Sequence, residues 1–154
     1  MLLKFLSMAD DPSLQQRLIG ASVLVVDDNS DVTDLLRASF ERRGAIVSAA
    51  ASVEEALAIL MAHAVDLIVS DIGMPNRDGY SLISAVRSAY IENNLPAIAY
   101  TALCSPKERK HALKAGFSAH VCKQADLGVL LHTAENLLQS SEVRSPDAPR
   151  VFWG

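Results

Sequence analysis

The chain has 154 residues, half of them apolar, and carries 14 Lys and Arg against 18 Asp and Glu, for a net charge of −4. This length and apolar content suffice for one full hydrophobic core and favour a single domain. There is no long basic block, which argues against a nucleic-acid partner, because the phosphate backbone is bound mainly through clustered Lys and Arg.

The N-terminal segment, residues 1–20, begins MLLKFLSMADD, an apolar stretch interrupted by Lys4. It lacks the apolar core and cleavage site of a secretory signal peptide, and no run reaches the roughly 18 consecutive apolar residues of a membrane helix. We therefore expect a cytoplasmic protein that makes no membrane contact. The segment itself is predicted to be loose or, through Leu14, Leu18 and Ile19, to form a short amphipathic helix.

Short apolar runs then alternate with helical patterns, which is typical of a parallel sheet covered by helices. Five βα units result. The predicted strands are Ser22–Val26, Ala45–Ala49, Val65–Ser70, Ala97–Tyr100 and Ala119–Cys122.

Helix-capping residues support the same division of the chain. The first helix, Asp31–Arg43, is predicted to stop at Gly44, a residue that favours the left-handed end of a helix. Ser52 with Glu55 and Ser105 with Glu108 are spaced as capping boxes that begin the second and fourth helices.

The remaining helices are marked by apolar spacing. The third is predicted to begin near Tyr80, after a turn at residues 76–79, and the fourth to end at Gly116. The fifth runs from about Asp126 to Gln139 with a stripe of Leu and Ala at helical spacing. Residues 141–154 are polar with two prolines and are predicted to form a flexible tail.

Carboxylates follow two of the buried runs. Asp27 and Asp28 come directly after the first strand, and Asp71 directly after VDLIVS. If these strands are parallel neighbours, the three carboxylates converge, and each pair about 5 Å apart repels by roughly 3 kcal/mol at an effective dielectric of ~20. Such a cluster calls for a cation, although Asp27 and Asp28 also suit a simpler role as caps of the following helix.

The other candidate residues are weaker when taken one at a time. Thr101 and Lys123 end the fourth and fifth strands, where either residue is also ordinary. Cys104 and Cys122 have neither zinc-site spacing nor the density of a disulfide scaffold, so we expect free thiols in a reducing cytosol. The four histidines form no ligand-spaced cluster, so a transition-metal site is not expected.

Taken together, four motifs resemble the receiver domain of two-component response regulators. They are VLVVDDN, VSDIGMPNRDG, AYTA and HVCK, in that order, and the resemblance covers about residues 22–139. It implies one domain over residues 21–140 with a flavodoxin-like, doubly wound α/β fold: a five-stranded parallel sheet in the order 2-1-3-4-5, with helices on both faces.

The resemblance also implies a magnesium site. Asp28, Asp71 and the backbone carbonyl of Gly73 would hold Mg²⁺ directly, and Asp27 would help through a water molecule. Mg²⁺ suits this donor set, because it takes hard oxygen ligands and keeps several waters.

Asp71 is implied to be the phosphoacceptor, with Thr101 and Lys123 contacting the phosphoryl oxygens. A carboxylate can attack phosphorus when cationic groups neutralise the charge that gathers on the transferring group. Thr101 would then act as a switch, drawn toward the phosphoryl group. Gly73 and Ala102 leave this position open, so we expect the phosphorylated form to last minutes or less.

Two positions depart from the family pattern. Gln124 stands where proline usually follows the lysine, often through a cis bond, which costs ~2.5–4 kcal/mol before a non-proline residue. His120 stands where an aromatic switch residue is usual. It is interpreted either as a working switch or as a partly buried histidine that packs like a small aromatic.

The expected function is a phosphorylation-dependent switch rather than an enzyme. A histidine kinase or histidine phosphotransfer protein would supply the phosphoryl group. Only fifteen residues follow Gln139, so output is expected through contact with a partner at the face of the fourth helix, fifth strand and fifth helix, by a monomer or weak dimer. That face includes the basic residues Lys107, Arg109, Lys110 and His111.

Two alternatives stay open. The first is a receiver module excised from a hybrid histidine kinase, against which the tail and Met1 argue modestly. A phosphohydrolase with an aspartate nucleophile is the other alternative, but the chain has DDNSD where a DxD motif is needed and no apparent cap insertion.

Overall fold

The structure, a computed structural model, describes residues 17–74, 78–89 and 94–142. Within these ranges five strands alternate with five helices. The strands are β1 (Ser22–Val26), β2 (Ile46–Ala50), β3 (Leu67–Ser70), β4 (Ala97–Thr101) and β5 (Ala119–Cys122). The helices are α1 (Ser30–Glu41), α2 (Val53–Ala62), α3 (Gly79–Ala89), α4 (Pro106–Ala115) and α5 (Leu127–Glu142).

The strands form one parallel sheet in the order β2-β1-β3-β4-β5, which confirms the predicted architecture. The first and last strands along the sequence, β1 and β5, have the bounds that were predicted. The β2 strand is shifted by one residue, and β3 begins two residues later than predicted. These differences concern only the ends of the strands. An apolar run indicates where a strand lies, but it does not indicate where the last hydrogen bond of that strand falls.

Helices on the two faces bury two apolar layers against the sheet. One layer is centred on Leu24, Ile68 and α2–α4, and the other on Val25, Val69 and α1 with α5. Alternate residues of β1 and β3 thus serve opposite layers, as the period of two in a strand requires. The stripe predicted for α5 faces the second layer through Leu130, Leu131, Ala134 and Leu138.

The predicted caps are present. The Ser52 hydroxyl accepts a hydrogen bond from the Glu55 N–H at 3.2 Å, and the Ser105 hydroxyl accepts one from the Glu108 N–H at 3.1 Å. Gly44 has φ +89°, and a Cβ there would lie 2.9 Å from the Ile19 Cα, so only glycine fits this turn.

The described part of the N-terminal segment, residues 17–20, is a turn and not a helix. Leu18 is buried, and its N–H donates to the Arg43 carbonyl at 2.9 Å, whereas Ile19 is 68% exposed. The Glu135 carboxylate on α5 is also buried and forms ion pairs with Arg43 and, at 3.7 Å, with Arg17. This contact fixes the segment to the second layer. Leu14, residues 143–154 of the predicted tail, and residues 76 and 77 of the predicted turn lie outside the described residues. Residues 141 and 142, predicted to begin the tail, instead end α5.

None of the helices in the described ranges combines the length and apolarity of a membrane span.

Candidate functional site

The three carboxylates meet at the carboxyl edge of the sheet. Val26 at the end of β1 pairs with Ser70 at the end of β3, so Asp27 and Asp71 leave the sheet side by side. One ligand atom from each of Asp27, Asp28 and Asp71 lies within 4.8 Å of the other two. Asp27 and Asp71 are buried, 2% and 9% exposed, whereas Asp28 faces solvent.

The donor set fits a hard divalent cation. Opposite oxygens around octahedral Mg²⁺ are roughly 4.2 Å apart, because each Mg–O bond is ~2.1 Å. The carboxylate oxygens of Asp27, Asp28 and Asp71 lie within 4.8 Å of one another, a range in which they can surround one such ion directly or through water.

Asp27 and Asp28 are not the cap of α1. Asn29 takes that position, and its side-chain oxygen accepts a hydrogen bond from the Asp31 N–H at 3.0 Å. The Asp27 carboxylate instead accepts the Asn29 N–H at 2.9 Å, a bond that orients it within the acidic cluster. Because Asn29 serves the helix, the capping interpretation of the two acids is wrong.

Lys123 bridges the two buried acids. Its Nζ donates to Asp27 Oδ2 at 2.7 Å and to Asp71 Oδ2 at 3.3 Å. The backbone places it there, since Lys123 follows β5 and its N–H donates to the Thr101 carbonyl at 2.9 Å. The ammonium group therefore lies beside both carboxylates, with the shorter bond to Asp27.

Burial and charge compete in this cluster. Burial raises the pKa of Asp27, and the hydrogen bonds from Lys123 and the Asn29 N–H oppose that rise without cancelling it. Burial also works to lower the pKa of Lys123, but the hydrogen bonds and charges of Asp27 and Asp71 outweigh it, so this pKa is raised. The Lys123 side chain accordingly stays an ammonium group at neutral pH.

The surroundings of Asp71 include a glycine whose role the sequence left unassigned. A Cβ at Gly79 would lie 2.3 Å from the Asp71 carbonyl oxygen, so the N-terminus of α3 approaches the site as closely as backbone allows. The Gly73 N–H donates to Asp71 Oδ1 at 3.2 Å, and Gly73 and Ala102 are both exposed. The sequence placed Gly79 at the end of the turn predicted at residues 76–79 and gave no sign of its approach to Asp71.

Thr101 and His120 are connected through the loop between β4 and α4, residues 102–105, hereafter the β4–α4 loop. The buried Thr101 hydroxyl accepts a hydrogen bond from the Leu103 N–H at 3.2 Å and retains its own proton to donate. His120 Nε2 lies 2.8 Å from the Leu103 carbonyl, a bond that places the proton on Nε2. His120 is half-buried and held against the loop.

The expectation of free cysteines is wrong. Cys104 and Cys122 form a disulfide, with Cα atoms 5.5 Å apart, and no cysteine in the chain is free. A separation of 18 residues in sequence says nothing about their distance in space, which is short because β4 and β5 are paired, with Thr101 opposite Cys122. The Gln124 side-chain amide lies against both sulfurs, and the bond before Gln124 is trans.

The basic residues predicted on the partner face are exposed, but they are not alike. Lys107, Arg109 and Lys110 project from α4 into solvent. His111 instead stacks on Tyr80 of α3, with ring centroids 4.4 Å apart and an angle of 18° between the rings. His111 thus also joins two neighbouring helices.

The chain is similar in sequence and in fold to known proteins. The family model described as the response regulator receiver domain matches residues 23–135. An uncharacterised 14.6 kDa protein of Leptolyngbya boryana is 43% identical over 111 residues, which is 72% of this chain and 85% of that protein. The receiver domain of the Francisella response regulator 1452 superposes with a TM-score of 0.74 at 30% identity, covering 79% of this chain and 99% of that one.

A longer relative contains the same module as one part. The sensor histidine kinase RcsC of Salmonella typhimurium is 32% identical over 111 residues, or 72% of this chain. The chain corresponds to only 12% of the length of that kinase.

Proposed function

The chain belongs to the response regulator receiver domain family of two-component signal transduction, and we propose that it is a phosphorylation-dependent switch with Asp71 as the phosphoacceptor. One observation carries the proposal. The Asp71 carboxylate shares a small pocket with two further acids and one ammonium group, all at the carboxyl edge of the sheet. In doubly wound folds this edge is where ligands bind.

Asp71 is better suited to be the nucleophile than Asp27. Asp27 accepts two short hydrogen bonds, at 2.7 and 2.9 Å, whereas Asp71 accepts two longer ones, at 3.2 and 3.3 Å. Longer bonds leave the Asp71 oxygens less engaged. The side chain of Asp71 is also 11% exposed, against 3% for Asp27, so an incoming phosphoryl group reaches it more readily.

The reaction is a transfer without redox change. One Asp71 oxygen forms a bond to phosphorus while the bond from phosphorus to the donor nitrogen breaks, and the electron pair returns to the donor imidazole. The product is an acyl phosphate whose charge of about −2 replaces the single carboxylate charge of Asp71, so an already acidic pocket gains about one negative charge. The chain's own compensating cation is Lys123, 3.3 Å from Asp71 Oδ2.

We further propose that Asp28, Asp71 and the carbonyl of Gly73 hold Mg²⁺, with Asp27 helping through water. When bound, the ion would neutralise charge on the acids and on the phosphoryl oxygens. Asp28 suits direct contact because it is exposed, and neither a hydrogen bond nor an ion pair from the described residues occupies its carboxylate. Asp27 suits an indirect role because it is already held by Lys123 and Asn29.

Thr101 provides the link from the site to the surface. Its hydroxyl proton is available to a phosphoryl oxygen, and its oxygen holds the Leu103 N–H. Movement of Thr101 toward the phosphoryl group would change the β4–α4 loop and, through the Leu103 carbonyl, the position of His120. Phosphorylation then favours the active state, because the contact between Thr101 and the phosphoryl group is stronger in that state.

The donor would be a histidine kinase or histidine phosphotransfer protein. Output would pass through contact at the face of α4, β5 and α5, by a cytoplasmic monomer or weak dimer whose receiver domain spans residues 21–140. The exposed Lys107, Arg109 and Lys110 supply that face with positive charge. Because part of a hybrid kinase is also similar, a module within a longer kinase is the second candidate.

Incubation with acetyl phosphate and Mg²⁺ tests the proposal. The chain should gain the mass of one phosphoryl group, about 80 Da, and Asp71→Asn should gain none. Asp34→Asn is the matched control, because it removes an exposed carboxylate on α1 outside the cluster. Labelling that persists in Asp71→Asn would refute the assignment.

The same experiment separates a switch from a hydrolase. A switch retains one phosphoryl group per chain, and we expect its loss within minutes, because exposed Gly73 and Ala102 leave water a path to the acyl phosphate. Release of many phosphate ions per chain from a simple phosphate ester would instead support the phosphohydrolase alternative. Label on Asp71 that decays only over many hours would contradict the expected lifetime.

A further inference from the structure

The disulfide joins the two segments that carry the proposed switching residues. Cys104 lies in the β4–α4 loop, three residues after Thr101, and Cys122 is the last residue of β5, directly before Lys123. The disulfide therefore links the segment after Thr101 to the segment before Lys123, the two residues that are proposed to contact the phosphoryl oxygens. Neither residue belongs to the acidic cluster.

The same two segments are also held together by hydrogen bonds that can break and re-form. His120 bonds to the Leu103 carbonyl, and the Lys123 N–H bonds to the Thr101 carbonyl. These contacts permit movement of the loop, whereas a covalent bond between positions 104 and 122 limits it. The disulfide is thus the one covalent restraint on the loop within the described residues.

The bond is open to chemical exchange. Cys104 is exposed, and Cys122 is half-buried. Exposed disulfides react with external thiols, and the reducing interior of a cell supplies those thiols. Neither of the two apolar layers contains the bond.

We infer that Cys104 and Cys122 are a redox modification site, in which a reversible disulfide restrains the β4–α4 loop and thereby sets how strongly phosphorylation reaches the partner face. The inference that the disulfide forms and breaks reversibly rests on the structure alone, whereas its effect on signalling rests on the proposed function.

The reaction is thiol–disulfide exchange with a dithiol of the thioredoxin class. A thiolate of the reductant attacks the accessible Cys104 sulfur, the bond between the two cysteines breaks, and the electron pair passes to Cys122, which takes a proton. The second thiol of the reductant then displaces Cys104 from the mixed disulfide. Two electrons and two protons reach this chain, and the reductant leaves as a disulfide.

The first test measures the bond itself. The full chain is equilibrated with oxidised glutathione or with reduced thioredoxin, free thiols are alkylated, and the mass of the intact protein is determined. We expect two alkyl groups after reduction and none after oxidation, without unfolding. Failure to form the bond in oxidant, or failure to reduce it in the folded protein, would overturn the inference.

The second test measures the loop. Amide hydrogen exchange at residues 102–105 is compared in oxidised and reduced protein, with and without beryllium fluoride and Mg²⁺ as the phosphoryl mimic. We expect exchange about tenfold slower in the oxidised form and a response to the mimic mainly in the reduced form. Equal exchange and equal response in both forms would overturn the inference.

The double variant Cys104→Ala/Cys122→Ala is the control, because it cannot form the bond. It should behave like reduced protein in either buffer, so an oxidant effect that persists in it would assign the effect to other residues and refute the inference. If this variant does not fold, Cys104→Ser alone serves the same purpose. Absence of acetyl phosphate labelling in both redox states would refute the proposed function while leaving the first test intact.

Discussion

Asp28→Asn isolates the electrostatic cost of the acidic cluster. Asp28 lies within 4.8 Å of Asp27 and Asp71, measured between ligand atoms, and it is exposed. At this distance each pair of charges repels by about 1 kcal/mol at the dielectric of water and about 3.5 kcal/mol at an effective dielectric of ~20. The lower value applies, because solvent reaches Asp28.

Two such pairs give about 2 kcal/mol of repulsion, and Lys123, which lies beside Asp27 and Asp71, offsets part of it. Removing the Asp28 charge should therefore stabilise the metal-free protein by about 1 kcal/mol. For a chain of this size that corresponds to a rise in Tm of about 2–4 °C. A thermal melt in EDTA at low ionic strength measures it, and Asp34→Asn should leave Tm nearly unchanged.

The same variant should respond poorly to Mg²⁺. At ten times Kd, the parent gains about 1.4 kcal/mol from the ion, whereas a tenfold weaker site gains only about 0.4 kcal/mol at the same concentration. Tm of the parent should thus rise by about 3–6 °C with Mg²⁺, and Tm of the variant by about 1 °C. A variant less stable than the parent in EDTA, with the full response to Mg²⁺, would refute both the repulsion and the metal assignment.

Three further predictions follow from single contacts. Thr101→Ala should leave labelling of Asp71 by acetyl phosphate within about threefold of the parent but abolish the effect of phosphorylation on the β4–α4 loop, and an undiminished loop response in hydrogen exchange would contradict the coupling. Lys123→Met should slow labelling at least tenfold, because it removes the ammonium group beside Asp71, and an unchanged rate measured by mass spectrometry would exclude that role. Gly79→Ala should lower the free energy of unfolding by about 2 kcal/mol or more in a denaturant titration, because its Cβ would meet the Asp71 carbonyl at 2.3 Å, whereas the exposed Gly128→Ala in α5 should raise it by about 0.5–1 kcal/mol. Equal effects of the two alanines would refute the close approach.

The sheet and its helices were predictable, because their determinants are local. Five apolar runs and helix caps such as Ser52 and Ser105 lie within a few residues of the elements that they define. The position of Asp71 at the end of a buried strand followed from the same local pattern. Helix and strand ends shifted by one or two residues, since the last hydrogen bond of an element depends on its neighbours.

Contacts between distant residues were decided by the tertiary structure. The sequence could not show that Asn29, and not Asp27 or Asp28, caps α1, because Asp and Asn both suit that position. It also could not show that Gly79 lies against the Asp71 carbonyl, because that approach depends on how α3 packs.

The cysteines show most clearly the difference between what the sequence predicts and what the tertiary structure decides. Spacing in the sequence indicated two free thiols, whereas the pairing of β4 with β5 brings Cys104 and Cys122 within bonding distance. What the chain determined by itself was the alternation of buried strands and helices, together with the chemical groups at the strand ends. The pairing of β1 with β3 and of β4 with β5 decided which of those groups meet, because paired parallel strands end side by side.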